Sequence, residues 1–163
     1  MNLPIPIPSI PMEPAEIRQK ILEFEQKLSA LPGAGFGDQE SCPLKHSFVN
    51  GIYTREIFIP AGMWIVGKIH KHSHPNFLMQ GVVTVVTEEG VKRICAPCAM
   101  VSPAGTKRLL FTHSDTVWIT VHRTDATTPE AAEEEIIAKS YAELEGAKDK
   151  PALQSTEEEI CHS

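Results

Sequence analysis

Lys68, His70, His72 and His74 stand at every second position of the stretch GKIHKHSHPN, residues 67–76. Alternate side chains of an extended chain share one face, and imidazole is the commonest protein ligand for a metal. A strand running through all three histidines would therefore present a metal-gripping face, whereas a strand that stops between them divides the trio between interior and water. Further along, Trp118, Thr120 and His122 alternate with Val117, Ile119 and Val121. One of these two faces is core, and the other either lines a pocket or lies outside under a flanking helix. Cys95-Ala-Pro-Cys98 is a C-x-x-C pair, but it falls between strand-like runs and not at a helix start that would lower a thiol pKa, so it reads as packing. No Ser-His-Asp order, phosphate loop or paired carboxylates can be picked out.

The elements that must position these residues are legible from periodicity. Residues 48–125 break into short β-rich runs, GIYTREIFI, MWIVGKIH, FLMQGVVTVVT, VKRICA, AMVS, RLLFTH and TVWITVHRT, separated by Pro, Gly or charged turns. Closely spaced strands without helical signal between them mean a sandwich or barrel. Before them, Pro14 opens a run with apolar residues at Ile17, Ile21, Phe24, Leu28 and Leu31, one amphipathic helix that ends at LPGAGFG and leaves 14–47 as helix and linker. Its stripe is short enough that packing on its own barrel or on a sister subunit is expected over a free coiled coil. After DATTPE, Thr127 with Glu130 fits a capping box and Pro129 an early helical position, so 126–146 reads as a second helix ending near Gly146. Prolines at 4, 6, 8, 11 and 14 make residues 1–13 an extended arm, and 147–163 a polar, acidic tail.

A chain of 163 residues that is 42% hydrophobic suits one domain with a real core. Its net charge of −6 gives no electrostatic reason to expect nucleic acid. No apolar run long enough to span a membrane and no basic, apolar leader is found, so a cytosolic chain without membrane association is expected, and the four cysteines read as thiols.

Gly62, five residues, Lys68-Ile69-His70, three residues, His74, six residues and Gly81 form a spacing that resembles the first motif of the cupin family, and PCAMVSPAGTKRLLFT, with Pro103-Ala104-Gly105 and Arg108, resembles the second. The resemblance covers residues 50–124, about half the chain, and implies an all-β core, a single cupin jelly-roll barrel, with N-terminal and C-terminal flanking helices. The family holds a metal with two histidines, a glutamate and a third histidine; the corresponding positions here are Lys68, His70, His74 and Arg108, two of them cations that disfavour a dication. In that frame Lys68 and His70 point into the barrel, His74 enters from the next strand and His72 lies in the turn. A three-histidine site would need His113 or His122 beside His70 and His74 (or His72 if the strand runs on), and it could take a divalent zinc, iron or manganese.

The same residues, Lys68, His70, His74 and Arg108 with Trp118 and His122, could instead form a cationic pocket for a carboxylate or phosphate, since Arg offers a bidentate fork and Lys a point charge. A salt-bridged interior with Glu56 as partner is the plain alternative. IYTREIFIPAG, GKIHK, SPAGTKR and DTVWITVHRTD also resemble small cupin-like proteins of bacteriophages. That likeness implies a non-catalytic assembly or decoration module, a homo-oligomer joined through its arm and helices, meeting capsid or tail proteins in the virion or in the host cytoplasm. The competing expectation is a metal-dependent cupin oxygenase, isomerase or lyase acting on a carboxylated metabolite, and a third is a sensor using the same pocket without turnover.

Overall fold

A computed structural model describes residues 12–31 and 40–144, so the expectations for the proline-rich arm through residue 11 and for the acidic tail lie outside the described residues. The first helix, α1 (Pro14–Ser29), begins where Pro14 fits a first turn and where the Glu16 carboxylate accepts the Glu13 backbone N–H at 3.3 Å. Its stripe packs on its own barrel. Ile21 is buried and the Phe24 ring meets Trp64 at 5.2 Å. Arg18 pairs with Glu88 at 2.6 Å and Glu25 with Lys107 at 2.8 Å, which ties the helix to two of the connections between strands of the barrel.

Ten strands follow in antiparallel ladders: β1 (Leu44–Val49), β2 (Ile52–Ile59), β3 (Trp64–Val66), β4 (Ile69–His70), β5 (His74–Gln80), β6 (Val82–Thr87), β7 (Gly90–Cys95), β8 (Cys98–Ser102), β9 (Leu109–Thr112) and β10 (Thr116–Arg123). One sheet runs β1-β2-β10-β5-β8 and the other β3-β9-β6-β7. They face each other across a core of Ile57, Ile59, Leu78 and Trp118 from the first sheet and Val83, Val85 and Leu110 from the second. This is the cupin jelly-roll barrel with small flanking helices, the all-β class expected. Among the described residues no helix is long and apolar enough to cross a membrane.

Three boundaries differ from the sequence expectation. The barrel begins at Leu44, not 48, because β1 is an edge strand whose residues are at best half-buried and so carry no clean alternation. The C-terminal element is not one helix to 146: α2 (Pro129–Ile136) starts at Thr128, whose side chain accepts the Ala131 N–H, and not at Thr127. At Ile137 the backbone turns extended, and β11 (Ile137–Ala138) pairs with β4 before a last turn, α3 (Tyr141–Leu144). An isolated two-residue strand needs ladder partners for its backbone groups, and this pairing, with the Lys71 N–H on the Ile136 carbonyl at 2.7 Å, overrides the helical pattern. Cys42 and Cys98 are thiols, but Cys95 is disulfide-bonded, a correction to the reading of all four as thiols.

Two glycines of the motif frame meet a steric requirement. Gly62 has φ +79°, and Gly81 has φ +99° with the Thr116 Oγ1 2.6 Å and the Asp115 carbonyl 2.7 Å from where a Cβ would stand. Both the backbone angle and the missing space forbid a side chain at 81. Gly81→Ala is expected to lower unfolding stability by about 2 kcal/mol or more, read as a fall in the urea midpoint; an unchanged midpoint would mean that the turn rearranges freely.

Candidate metal centre

Three imidazoles meet at one end of the barrel, each from a different strand: His70 from β4, His74 from β5 and His122 from β10. Ring centroids lie 4.1 Å apart for His70 and His74, 4.5 Å for His74 and His122, and 5.1 Å for His70 and His122. One ring nitrogen of each lies within 4.8 Å of the others. His74 and His122 are buried and His70 half-buried. The Nδ1 of His74 is 3.1 Å from the His72 carbonyl, so Nδ1 carries the proton and Nε2 keeps its lone pair; that Nε2 is buried and has no hydrogen-bond partner. A buried nitrogen acceptor without a donor is costly unless something coordinates it.

Burial holds all three rings neutral, the metal-binding form. Loss of hydration chiefly pushes His70 down to about 2, His122 to about 3 and His74 to about 4; the other imidazoles of the cluster add for His70 and His122, and a guanidinium adds in each case. For His74 the bond to the His72 carbonyl partly offsets this. The nearby cations are two guanidiniums. Arg108 donates to Asn76 Oδ1 at 3.3 Å and closely to Ser102 Oγ, and its guanidinium lies 5.4 Å from the Trp118 ring centre. Burial lowers its pKa to about 10, so it stays charged at neutral pH. Asn76, fully buried, also accepts the Trp118 Nε1–H at 3.1 Å and donates to Ser102 Oγ at 2.7 Å and the His74 carbonyl at 3.2 Å.

The second guanidinium, Arg55, sits on β2 between the inward-facing Tyr53 and Ile57, opposite Thr120 on β10 and His46 on β1. Burial lowers its pKa. Its charge helps depress His70 and His122. Glu56, expected as an interior acid, lies on the opposite face of β2 from Arg55. Over this end α2 packs Ala132 and Ile136 against Tyr53, with Phe48 beside them.

The structure brings together His70, His74, His122, Arg108 and Trp118, and separates the other two sequence candidates. Lys68 does not point inward: it is exposed and pairs with Glu133 of α2. The strand is broken at Gly67 and Lys68, so the two-residue count from His70 back to Lys68 does not hold, and an acid outside offers what a neighbouring cation inside would oppose. His113, proposed as third ligand, is exposed in the bend after β9, beside the second sheet, with its Nε2 2.8 Å from the Thr84 hydroxyl; His122 is the residue that joins the other two. His72 is exposed in a bend, as the frame implied. On β10 the polar face, Trp118, Thr120 and His122, is the buried one. Sequence reasoning missed Arg55 and Asn76. Alternation was a usable signal for both, since Tyr53-Arg55-Ile57 and His74-Asn76-Leu78 share faces.

No family model matches the sequence, nor does any curated protein. Among solved structures, ectoine synthase from P. lautus superposes with a TM-score of 0.50 at 16% identity, over 60% of this chain and 75% of that one. KdgF from Halomonas sp. gives 0.46 at 16% identity, over 53% and 83%, and the Cnp3 cupin domain from Schizosaccharomyces pombe 0.45 at 15%, over 65% and 77%. The first likeness supports the cupin fold. At these identities none assigns an activity.

The neutral histidines have a pH consequence in metal-free protein. Folded pKa values of about 4 for His74 and about 3 for His122 lie below the ordinary 6.5, so the unfolded chain binds the extra protons. Their contribution is complete well above pH 6.5 and is lost as pH falls, with a slope for each ring that grows from about 0.7 kcal/mol per pH unit at pH 6.5 towards about 1.4 near pH 5. Urea titrations between pH 6.5 and 5 should show this slope, reduced by one ring's share in His122→Gln; equal slopes would mean that His122 titrates normally in the folded protein.

Proposed function

We propose that this protein is a metal-dependent small cupin enzyme whose centre is His70, His74 and His122 and whose substrate is a small carboxylated molecule. The observation that carries this reading is the cluster of three neutral imidazoles with the His74 Nε2 buried and unpartnered. Three protein ligands with room for a further one is the pattern of catalytic sites for divalent zinc, iron or manganese. A divalent ion held there would supply a Lewis acid to polarise an oxygen of the bound molecule. The protein's own groups do the rest. The His74–His72 bond fixes one ring's tautomer, α2 covers this end of the barrel against water, and Arg108, held by Asn76 and Ser102, presents a charged edge to a carboxylate.

The assembly reading rested on the bacteriophage likeness, on the arm, striped helix and acidic tail around the barrel, and on a ligand set reduced to two histidines. His122 supplies a third imidazole, and α1 lies against Trp64 of its own barrel. Oxygenase, isomerase and lyase chemistry all remain compatible with this donor set.

Untagged protein, analysed by mass spectrometry for bound elements, should carry about one divalent ion per chain. His122→Ala should weaken zinc affinity by about 100-fold or more, while His113→Ala leaves it unchanged. Metal-free wild type that takes up no zinc, iron or manganese sinks the proposal.

A further inference from the structure

Two guanidiniums lie in the interior, and Glu133 of the covering helix α2 acts on Arg55 only from beyond ion-pair distance. Arg55 projects from the inward face of β2 and Arg108 enters from the segment before β9, and among the described residues neither has a carboxylate within ion-pair distance. The three histidines are neutral and offer no compensation. A buried charge left unpaired costs several kcal/mol. A dication beside two guanidiniums would add repulsion of several kcal/mol even at an effective dielectric constant of about 20.

The ladder places the two cations on either side of one residue. Arg55 stands opposite Thr120 in the β2–β10 pair, and Thr120 stands opposite Asn76 in the β10–β5 pair, where Asn76 Oδ1 receives Arg108 at 3.3 Å. Two strand spacings, about 9–10 Å, separate the Arg55 and Asn76 backbones. Between them the Thr120 hydroxyl is buried and has no hydrogen-bond partner. A hydroxyl between two forked cations still lacks an acceptor for its own proton, and one negative charge would leave one guanidinium unbalanced.

We infer that Arg55 and Arg108, with the Thr120 hydroxyl between them, form a two-point anion subsite, so that the ligand of this barrel is a short dicarboxylate with one carboxylate on each guanidinium. The inference deepens the reading of this end of the barrel as a small-molecule centre and rests on it. It assigns Arg55 a specificity role: a monocarboxylate satisfies one guanidinium and leaves the other unpaired.

The test is calorimetric titration of the full chain with malonate, succinate and acetate, first after chelation and dialysis and then with zinc restored. At least one dicarboxylate should bind the chelated protein at least tenfold more tightly than acetate. Arg55→Gln should remove that preference, bringing dicarboxylate affinity down to that of acetate; because Arg108 braces Asn76 and Ser102 and its loss could unfold the barrel, Arg55→Lys serves as the second variant and should recover part of the preference. Equal affinity for acetate and both dicarboxylates, or unaltered dicarboxylate affinity in Arg55→Gln, overturns the subsite. The two readings fail separately: zinc uptake without a dicarboxylate preference removes the subsite and spares the metal centre, whereas a dicarboxylate preference without zinc uptake does the reverse.

Discussion

The carboxamide of Asn76 is the constraint on which the interior of this barrel depends. Fully buried, it receives the Arg108 guanidinium and the Trp118 indole N–H on its oxygen and donates from its nitrogen to Ser102 and to the backbone of His74. One side chain thus links β5, β8, β10 and the segment carrying Arg108. A buried amide of this kind is tolerated only because its hydrogen-bonding capacity is used, and any change in strand register would leave several groups orphaned together. The apolar end of the barrel, packed from Leu78, Trp118 and the opposing valines, and the polar end with its histidines meet at this residue.

Beyond that boundary the barrel holds polar groups that water would solvate better than protein does. Three rings kept neutral by burial, two guanidiniums, an unpartnered imidazole nitrogen and an unpartnered hydroxyl lie within a few side chains of one another. Such an arrangement is unfavourable for the protein's own groups taken alone, because buried charges and unpaired polar atoms lose hydration without a compensating partner. The helix α2 contributes from outside: it covers Tyr53 and draws Lys68 away to Glu133, which keeps a third cation out of the interior.

Much of this was legible in the chain. The alternating runs, the glycine frame at 62 and 81 and the amphipathic stripe from Ile17 lead to a β-barrel with a helix before it, because period-two and helical patterns report one-sided burial directly. His70, His74 and Arg108 could be placed inside by counting within a strand or a motif. Counting failed at Lys68, where the strand breaks, at His113, where nothing local says which sheet faces which, and at Ile137, where a ladder partner distant in sequence outcompetes helix propensity.

The sequence by itself determined which side chains alternate and where the turns must fall, since sterics and hydrophobic burial act between residues a few positions apart. Only the tertiary structure decided that His122 joins His70 and His74, that Arg55 faces Thr120, and that Lys68 turns outward. Those outcomes depend on which strands become neighbours, and strand neighbours here are set by pairing between segments up to about seventy residues apart, information that no local window contains.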